Sequence, residues 1–144
     1  MILPDINVLI YAHNRADKRF KLANRWLTEI LNGPSQVGFC WETLNGFVRI
    51  STNPRLDAPI SLRQGLSIIR AWLDTPNAVI VGQSARRLDV IEEVATGSNA
   101  HGPLYSDAVL AAIAIEHNAV LATTDRDFRR FKGLKVLDPL TQDA

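Results

Sequence analysis

Three aspartates stand where apolar segments of the chain meet helices, and they are the first candidates for chemistry. Asp5 follows the apolar start of the chain, Asp107 opens a very apolar helical segment, and Asp125 directly follows an apolar run. Glu42 and Asp127 add two carboxylates at similar boundaries. Taken singly, each has an ordinary structural explanation as a helix cap, a partner of a helix dipole or a turn residue.

These carboxylates gain a shared explanation if they meet at one edge of a sheet. In an open parallel sheet, ligands bind beyond the carboxyl ends of the strands. Several carboxylates gathered there repel one another unless a cation or shared protons offset the charge. Because oxygen ligands without cysteine or a well-placed histidine suit Mg²⁺ or Mn²⁺ better than zinc, the cluster predicts a hard divalent cation. One such ion can activate a water to attack phosphorus, and a second ion about 4 Å away can hold the leaving oxygen.

The elements that must bring these side chains together are predicted from hydrophobic patterning. Short segments that are apolar throughout predict strands at residues 1–3, 36–40, 78–81, 119–123 and, at an edge, 134–137. Helical spacing of apolar residues predicts helices at 7–12, 19–31, 42–50, 85–95 and 108–116, and one more opened by Pro59 and Ser61. A polar loop is expected over 97–103 and a left-handed helix cap at Asn118. This alternation indicates an α/β fold with three layers, α/β/α, and a short, mostly parallel central sheet in a single domain, 1–144.

Composition narrows the class of protein without deciding its function. The 144 residues suffice for one domain, and a hydrophobic content of 47% excludes a disordered chain. A net charge of +1 neither requires nor excludes a nucleic-acid partner. Cys40 is the single cysteine, and its apolar surroundings predict a buried, inert thiol. No apolar stretch is long enough to cross a membrane and the N-terminus lacks a basic n-region, so we expect a cytoplasmic protein without membrane association.

Four segments of this chain resemble motifs of one family. DINVLIYA opens the chain with an aspartate at a strand end, and SDAVLAAIAIEHNAVLATTDRDFRRF combines an alanine-rich helix, a strand and a T-x-D-x-D-F pattern. GFVRISTNPR in the middle and GLKVLDPL near the end complete the series. With these segments the chain resembles the PIN-domain ribonucleases, and among them the VapC toxins of bacterial toxin–antitoxin pairs, essentially from end to end.

The resemblance implies a fold, an activity and a partner. It implies a PIN-like fold and a Mg²⁺-dependent endoribonuclease, with Mn²⁺ as an alternative ion, that cuts structured RNA such as tRNA or rRNA. It further implies a homodimer that is neutralised by a small VapB-like antitoxin. Asp5 and Asp107 match the principal metal ligands, and Asp125 matches a further acidic ligand. The supporting positions of the family fall on Asn7, Thr123 and Asp127, the first two as residues that orient the carboxylates by hydrogen bonds.

One position departs from the family pattern. The family shows a glutamate before an apolar residue in a pattern like E-F-x-R, and here Gly46 stands in that place, before Phe47 and Arg49. Glu42 lies four residues earlier, which on a helix is the same face one turn nearer the strand end. We therefore expect Glu42 to belong to the catalytic set together with the three aspartates.

Basic and aromatic residues are the candidates for binding RNA. Arg126 and Arg129 follow Asp125 directly, and Arg49 follows the second strand and its helix, so these three arginines are predicted to contact phosphates. Trp41, Trp72 and Tyr105 are able to stack on bases, although core packing is expected for the two tryptophans.

Two other functions compete with a metal-dependent nuclease. A phosphatase could use Asp5 as a covalent nucleophile, but such enzymes carry a second aspartate where this chain has Asn7. A non-catalytic RNA- or protein-binding domain would show no metal affinity and no effect of neutralising the aspartates.

Overall fold

The computed structural model describes residues 1–141, in which five short strands form one sheet. The strands are β1 (Ile2–Pro4), β2 (Val37–Phe39), β3 (Ala78–Ile80), β4 (Val120–Ala122) and β5 (Lys135–Leu137). Their order in the sheet is β3-β2-β1-β4-β5, and all four neighbouring pairs are parallel. The predicted parallel sheet and its last edge strand are thus confirmed. The end of the predicted domain, 142–144, lies outside the described residues.

Six α-helices and one 3-10 helix connect the strands. They are α1 (Ile6–Tyr11), α2 (Phe20–Leu31), α3 (Trp41–Ser51), α4 (Leu62–Leu73), α5 (Arg87–Gly97), α6 (Pro103–Glu116) and the 3-10 helix Arg126–Arg130. The predicted start at Ser61 is confirmed, since its side chain and that of Gln64 form a reciprocal capping box at α4. Within residues 1–141, no helix has the length and apolar character needed to cross a membrane.

The helices cover the sheet as two layers, each with its own apolar cluster. One cluster joins α1, α2, α3 and α4 to Val37 and Phe39 of β2. The other joins α6 and the 3-10 helix to Leu3 of β1 and Leu121 of β4. Because alternate residues of a strand point to opposite faces, this division gives the predicted α/β/α layers.

The start of α6 differs from the prediction and moves a candidate site residue. Helix α6 begins at Pro103 instead of near Ser106, because proline suits the first position of a helix and Gly102 turns the chain with a φ of 60°. Asp107 therefore lies in the second turn of α6 and is not a first-turn charge. The 3-10 helix after Asp125 was not predicted, whereas the left-handed conformation of Asn118 is confirmed by its φ of 50°.

Candidate active site

Asp5 is the most firmly held carboxylate at the carboxyl edge of the sheet. It follows β1 directly and caps α1, with Oδ1 accepting a hydrogen bond of 2.7 Å from the backbone N–H of Ile6. Its side chain is also buried, and Oδ2 accepts a hydrogen bond of 2.7 Å from the hydroxyl of Thr123. Burial raises the pKa of Asp5, because the desolvation of its charge outweighs these two hydrogen bonds, and the charge of Asp125 adds to the increase. Asp5 is thus a helix cap whose burial makes its charged form energetically unfavourable.

Thr123 links two of the predicted acidic residues. The register of β1 against β4 pairs Pro4 with Ala122, so the next residues, Asp5 and Thr123, stand side by side. Besides donating to Asp5, the buried Thr123 hydroxyl accepts a hydrogen bond of 3.0 Å from the backbone N–H of Asp125. The hydrogen bond expected of Thr123 is therefore present. Asn7 makes no side-chain hydrogen bond within residues 1–141, so its supporting role stays a prediction.

Asp107 lies on α6, in the opposite helical layer from α1, and is close to the charges of Asp5 and Asp125. Its pKa is raised to about 6, first by desolvation and then by the negative charges of Asp125, Asp5 and Asp127, while Arg130 opposes the shift. In salt solution, a charge shifts the pKa of a partly exposed group mainly when it lies within about 10 Å of that group. The structure therefore brings four aspartates from β1, α6 and the segment after β4 into one neighbourhood, which we call the acid edge.

The acid edge suits a hard cation by its chemistry, but its side chains do not yet share a single coordination point. In the part of the chain that the structure describes, no three histidine, cysteine, aspartate or glutamate side chains are gathered closely enough to hold one ion. Asp125 instead uses Oδ1 to accept a hydrogen bond of 2.9 Å from the backbone N–H of Asp127. The donors are all carboxylate oxygens, as Mg²⁺ and Mn²⁺ prefer, so Asp5, Asp107 and Asp125 are the residues that could hold such an ion.

Glu42 is not brought into the acid edge. Its side chain is exposed in the first turn of α3, and it is absent from the charges that raise the pKa of Asp5 and Asp107. Its charge contributes instead to the raised pKa of Cys40, of which burial is the main cause. The prediction that Cys40 is buried is confirmed, and its inertness stays a prediction. The catalytic role expected of Glu42 stays a prediction without support from this geometry.

Position 46, where the family pattern has a glutamate, has little room for a side chain. A Cβ on Gly46 would lie 2.7 Å from Cδ1 and 3.1 Å from Cγ1 of Ile6, which follows Asp5 at the start of α1. The side chain of Ile6 thus occupies the space that a side chain at position 46 would need, and it would have to shift to admit one. The large side chain of Ile6 therefore favours glycine at position 46.

The predicted RNA-binding arginines lie on two different elements. Arg126 and Arg129 are exposed on the 3-10 helix that follows Asp125, whereas Arg49 lines a groove between α3 and α4. Arg130, which the prediction did not single out, lies nearer the acid edge, with Nη2 4.0 Å from Oδ1 of Asp127. The i, i+3 spacing from Asp127 was the available signal for this contact.

Trp41 contradicts the expectation that both tryptophans pack in the core. Trp72 is 4% exposed, but Trp41 is 53% exposed. Residues Leu44, Phe47 and Ser51 form the buried stripe of α3, while Trp41 lies on a second stripe that faces the groove. The position of Trp41 outside the buried stripe was a signal in the sequence, but its size alone suggested burial.

Comparison with known families and proteins shows which family the chain resembles over its length. The family model described as "PIN domain" matches residues 2–134. Ribonuclease VapC37 of Mycobacterium tuberculosis is 37% identical over 94% of this chain and 94% of its own length. Ribonuclease VapC33 of the same species is 35% identical over 99% of this chain and 100% of its own length.

Solved structures of lower identity share the fold. VapBC2 from Rickettsia felis, bound to a DNA fragment from its promoter, superposes with a TM-score of 0.71 at 20% identity over 95% of this chain and 98% of the other. Mycobacterium tuberculosis VapC20, described as a sarcin–ricin loop cleaving toxin, gives a TM-score of 0.68 at 14% identity over 93% and 98%. At these identities the likeness extends to the fold alone.

Proposed function

Since the chain belongs to the VapC ribonucleases of the PIN-domain family, we propose that it is a metal-dependent endoribonuclease and the toxin of a toxin–antitoxin pair. The observation that carries the proposal is the acid edge itself. Burial first, and then the nearby charges of Asp125, Asp5 and Asp127, raise the pKa of Asp107 to about 6, so aspartates from separate elements lie close to one another there. A protein retains such repulsion where it serves a function, because neutral side chains would fold with less cost.

In this proposal, Asp5, Asp107 and Asp125 hold Mg²⁺ or Mn²⁺. When bound, the ion supplies a water of lowered pKa and positive charge opposite the scissile phosphate. Asp5 keeps its orientation because the backbone of Ile6 and the hydroxyl of Thr123 hold both of its oxygens. Arg126 and Arg129 stand exposed beside Asp125, where guanidinium groups can bind the phosphates that flank the cut.

The substrate and partners follow from the relatives. We propose structured RNA, tRNA or rRNA, as the substrate, because one relative of this fold is described as cleaving the sarcin–ricin loop. The VapBC complexes among the solved structures lead us to propose a VapB-like antitoxin as partner. A homodimer and action in the cytoplasm, where these RNAs are found, complete the proposal.

An RNA-cleavage assay tests this function. The purified chain is incubated with total RNA in Mg²⁺, Mn²⁺ or EDTA, beside Asp5→Asn, Asp107→Asn and the control Asp89→Asn, which removes an exposed carboxylate of α5. We expect discrete cleavage by the wild type and the control in either metal, and none by the two acid-edge variants or in EDTA.

Three results would contradict the proposal. They are cleavage that persists in EDTA, cleavage that survives both acid-edge substitutions, and release of phosphate from a small phosphomonoester without RNA cleavage. The last would favour the phosphatase with Asp5 as nucleophile, whereas RNA binding without any cleavage would favour a non-catalytic domain.

A further inference from the structure

Trp41 is a large aromatic side chain that the packing of the protein does not use. Trp72 shows the alternative, since its ring lies 4.8 Å from that of Phe47 and 5.6 Å from that of Phe39, between ring centroids. Among residues 1–141, Trp41 takes part in no such ring pair and stays 53% exposed. Trp41 and Leu66, which is 50% exposed, line the same groove, and exposed apolar side chains that gather in this way often mark a binding site.

The register of the sheet places Trp41 beside the acid edge. Ile2 of β1 pairs with Val37 of β2, so Asp5 is level with Cys40, and Trp41 is one residue further in the same direction. Neighbouring strands lie about 4.8 Å apart, so the backbones of Asp5 and Trp41 leave the same edge of the sheet next to each other. The close contact between Gly46 and Ile6 fixes α3 against α1 and keeps Trp41 in this position.

The groove that Trp41 lines has the chemistry of a nucleotide site. The groove between α3 and α4 has a volume of about 600 Å³. Trp41, Asn45 and Arg49 line it from α3, and Leu66 and Arg70 line it from α4. Asp74 adds one carboxylate, and the remaining lining residues are apolar. An aromatic face, an amide that can bond a base edge and two guanidinium groups that can bind phosphates are the groups with which proteins hold single-stranded RNA.

We propose that Trp41 stacks on a base of the RNA next to the scissile phosphate, and that the groove between α3 and α4 holds this nucleotide. The inference rests on the proposed nuclease function and adds a binding site to it. The two arginines outnumber the one carboxylate of the lining, Asp74, and both are exposed on the rim, so the net positive charge favours RNA phosphates over a protein occupant. Flanking bases held in this way would help to select the position of the cut.

Binding without cleavage tests the site directly. The probe is a fluorescein-labelled, single-stranded RNA octamer of mixed sequence, titrated in EDTA with the wild type, Trp41→Ala, Trp41→Phe and the control Leu88→Ala. Leu88 is 71% exposed on α5 and provides a matched loss of exposed apolar surface outside the groove. We expect Trp41→Ala to weaken binding roughly ten-fold and Trp41→Phe and Leu88→Ala to change it by less than about three-fold, because a phenyl ring still stacks.

Two further readouts separate stacking from a general loss of affinity. Tryptophan fluorescence should be quenched on binding in the wild type and not in Trp41→Phe, which keeps Trp26 and Trp72. Octamers with one abasic nucleotide should bind more weakly at one position, and Trp41→Ala should remove that difference. In the cleavage assay, Trp41→Ala should raise KM with little change in kcat, because the residue touches a base and not the reacting phosphate.

The inference is overturned if the wild type does not bind the octamer saturably, or if Trp41→Ala binds it as the wild type does. It is also overturned if Trp41→Ala alters the mass of the protein in size-exclusion chromatography with light scattering and leaves RNA affinity unchanged, since the groove would then be a contact between protein chains. Cleavage that depends on Asp5 and Asp107 but not on Trp41 would refute the inference alone. Octamer binding that depends on Trp41, without any cleavage, would refute the nuclease proposal alone.

Discussion

The acid edge and the aromatic cluster of Phe39, Phe47 and Trp72 lie on neighbouring elements. They differ in charge and in how tightly their side chains pack. At the acid edge, mutual repulsion and burial raise the pKa of Asp107 to about 6. In the aromatic cluster, the rings of Phe39 and Trp72 stack at 5.6 Å with an interplanar angle of 5°, and Phe47 closes on Trp72 at 4.8 Å. The cluster is buried and contributes packing energy, whereas the acid edge gathers like charges from the buried Asp5 to the exposed Asp127.

This difference shows how stability and chemistry are divided in the molecule. The short sheet and its aromatic cluster stabilise the folded state, and the repulsion and burial of charge at the acid edge destabilise it. Substitutions in the cluster should therefore reduce stability, and neutral substitutions at the acid edge should raise stability while they remove activity.

The largest expected effect concerns the two tryptophans. Trp72→Ala should lower the free energy of unfolding by about 3–5 kcal/mol, because it removes a buried ring from contact with Phe39, Phe47 and His13. Trp41→Ala should lower it by only about 1 kcal/mol, since about half of the side chain is exposed. Urea titration of both variants measures the difference. Similar losses in the two variants would mean that Trp41 belongs to the core.

A smaller effect, with a change of sign, is expected at Gly46. Gly46→Ala should destabilise the wild type by about 1 kcal/mol, because the clash with Ile6 exceeds the gain in helix propensity. In an Ile6→Ala background the clash is absent, so the same substitution should stabilise by about 0.5–1 kcal/mol. A double-mutant cycle by urea titration checks this pair. If the effects of the two substitutions on the free energy of unfolding were additive, Ile6 would not be the residue that restricts position 46 to glycine.

Asp107→Asn should stabilise the protein in a pH-dependent way. The pKa of Asp107 is raised in the folded state, so its ionisation costs stability as the pH rises from about 4 through 6. The variant escapes this cost and should exceed the wild type by roughly 1 kcal/mol at pH 7.5 in EDTA, a figure reduced for the partial exposure of the side chain. Near pH 3 the two should differ little. Thermal unfolding across this range provides the measurement, and a variant less stable than the wild type at pH 7.5 would argue against repulsion at the acid edge.

Local patterns were sufficient to predict most of the elements that position the site. The apolar runs predicted all five strands, and Ser61 predicted the start of α4 together with its cap. The aspartates were found because each follows a strand or lies on the helix that leads to one. The start of α6 was missed because residues 97–103 were taken as a loop, although Pro103 itself is a common first residue of a helix.

Other features depend on contacts between distant parts of the chain. The constraint on Gly46 arises from Ile6, forty residues earlier, and no local pattern contains that distance. The raised pKa of Asp107 depends on its burial and on the charges of Asp125, Asp5 and Asp127, which only the folded chain brings near it. The exposure of Trp41 depends on the direction in which α3 presents its buried stripe, which is fixed only when α1 packs against it.

The central claim, that the acid edge binds a divalent cation, is tested most directly by titrating the metal-free protein with Mn²⁺ in a calorimeter. We expect saturable binding to the wild type and to Asp89→Asn, and binding at least about ten-fold weaker to Asp107→Asn and Asp5→Asn, because each loses an anionic oxygen ligand. Equal affinity of all four proteins for Mn²⁺, or no binding by the wild type, would contradict the claim.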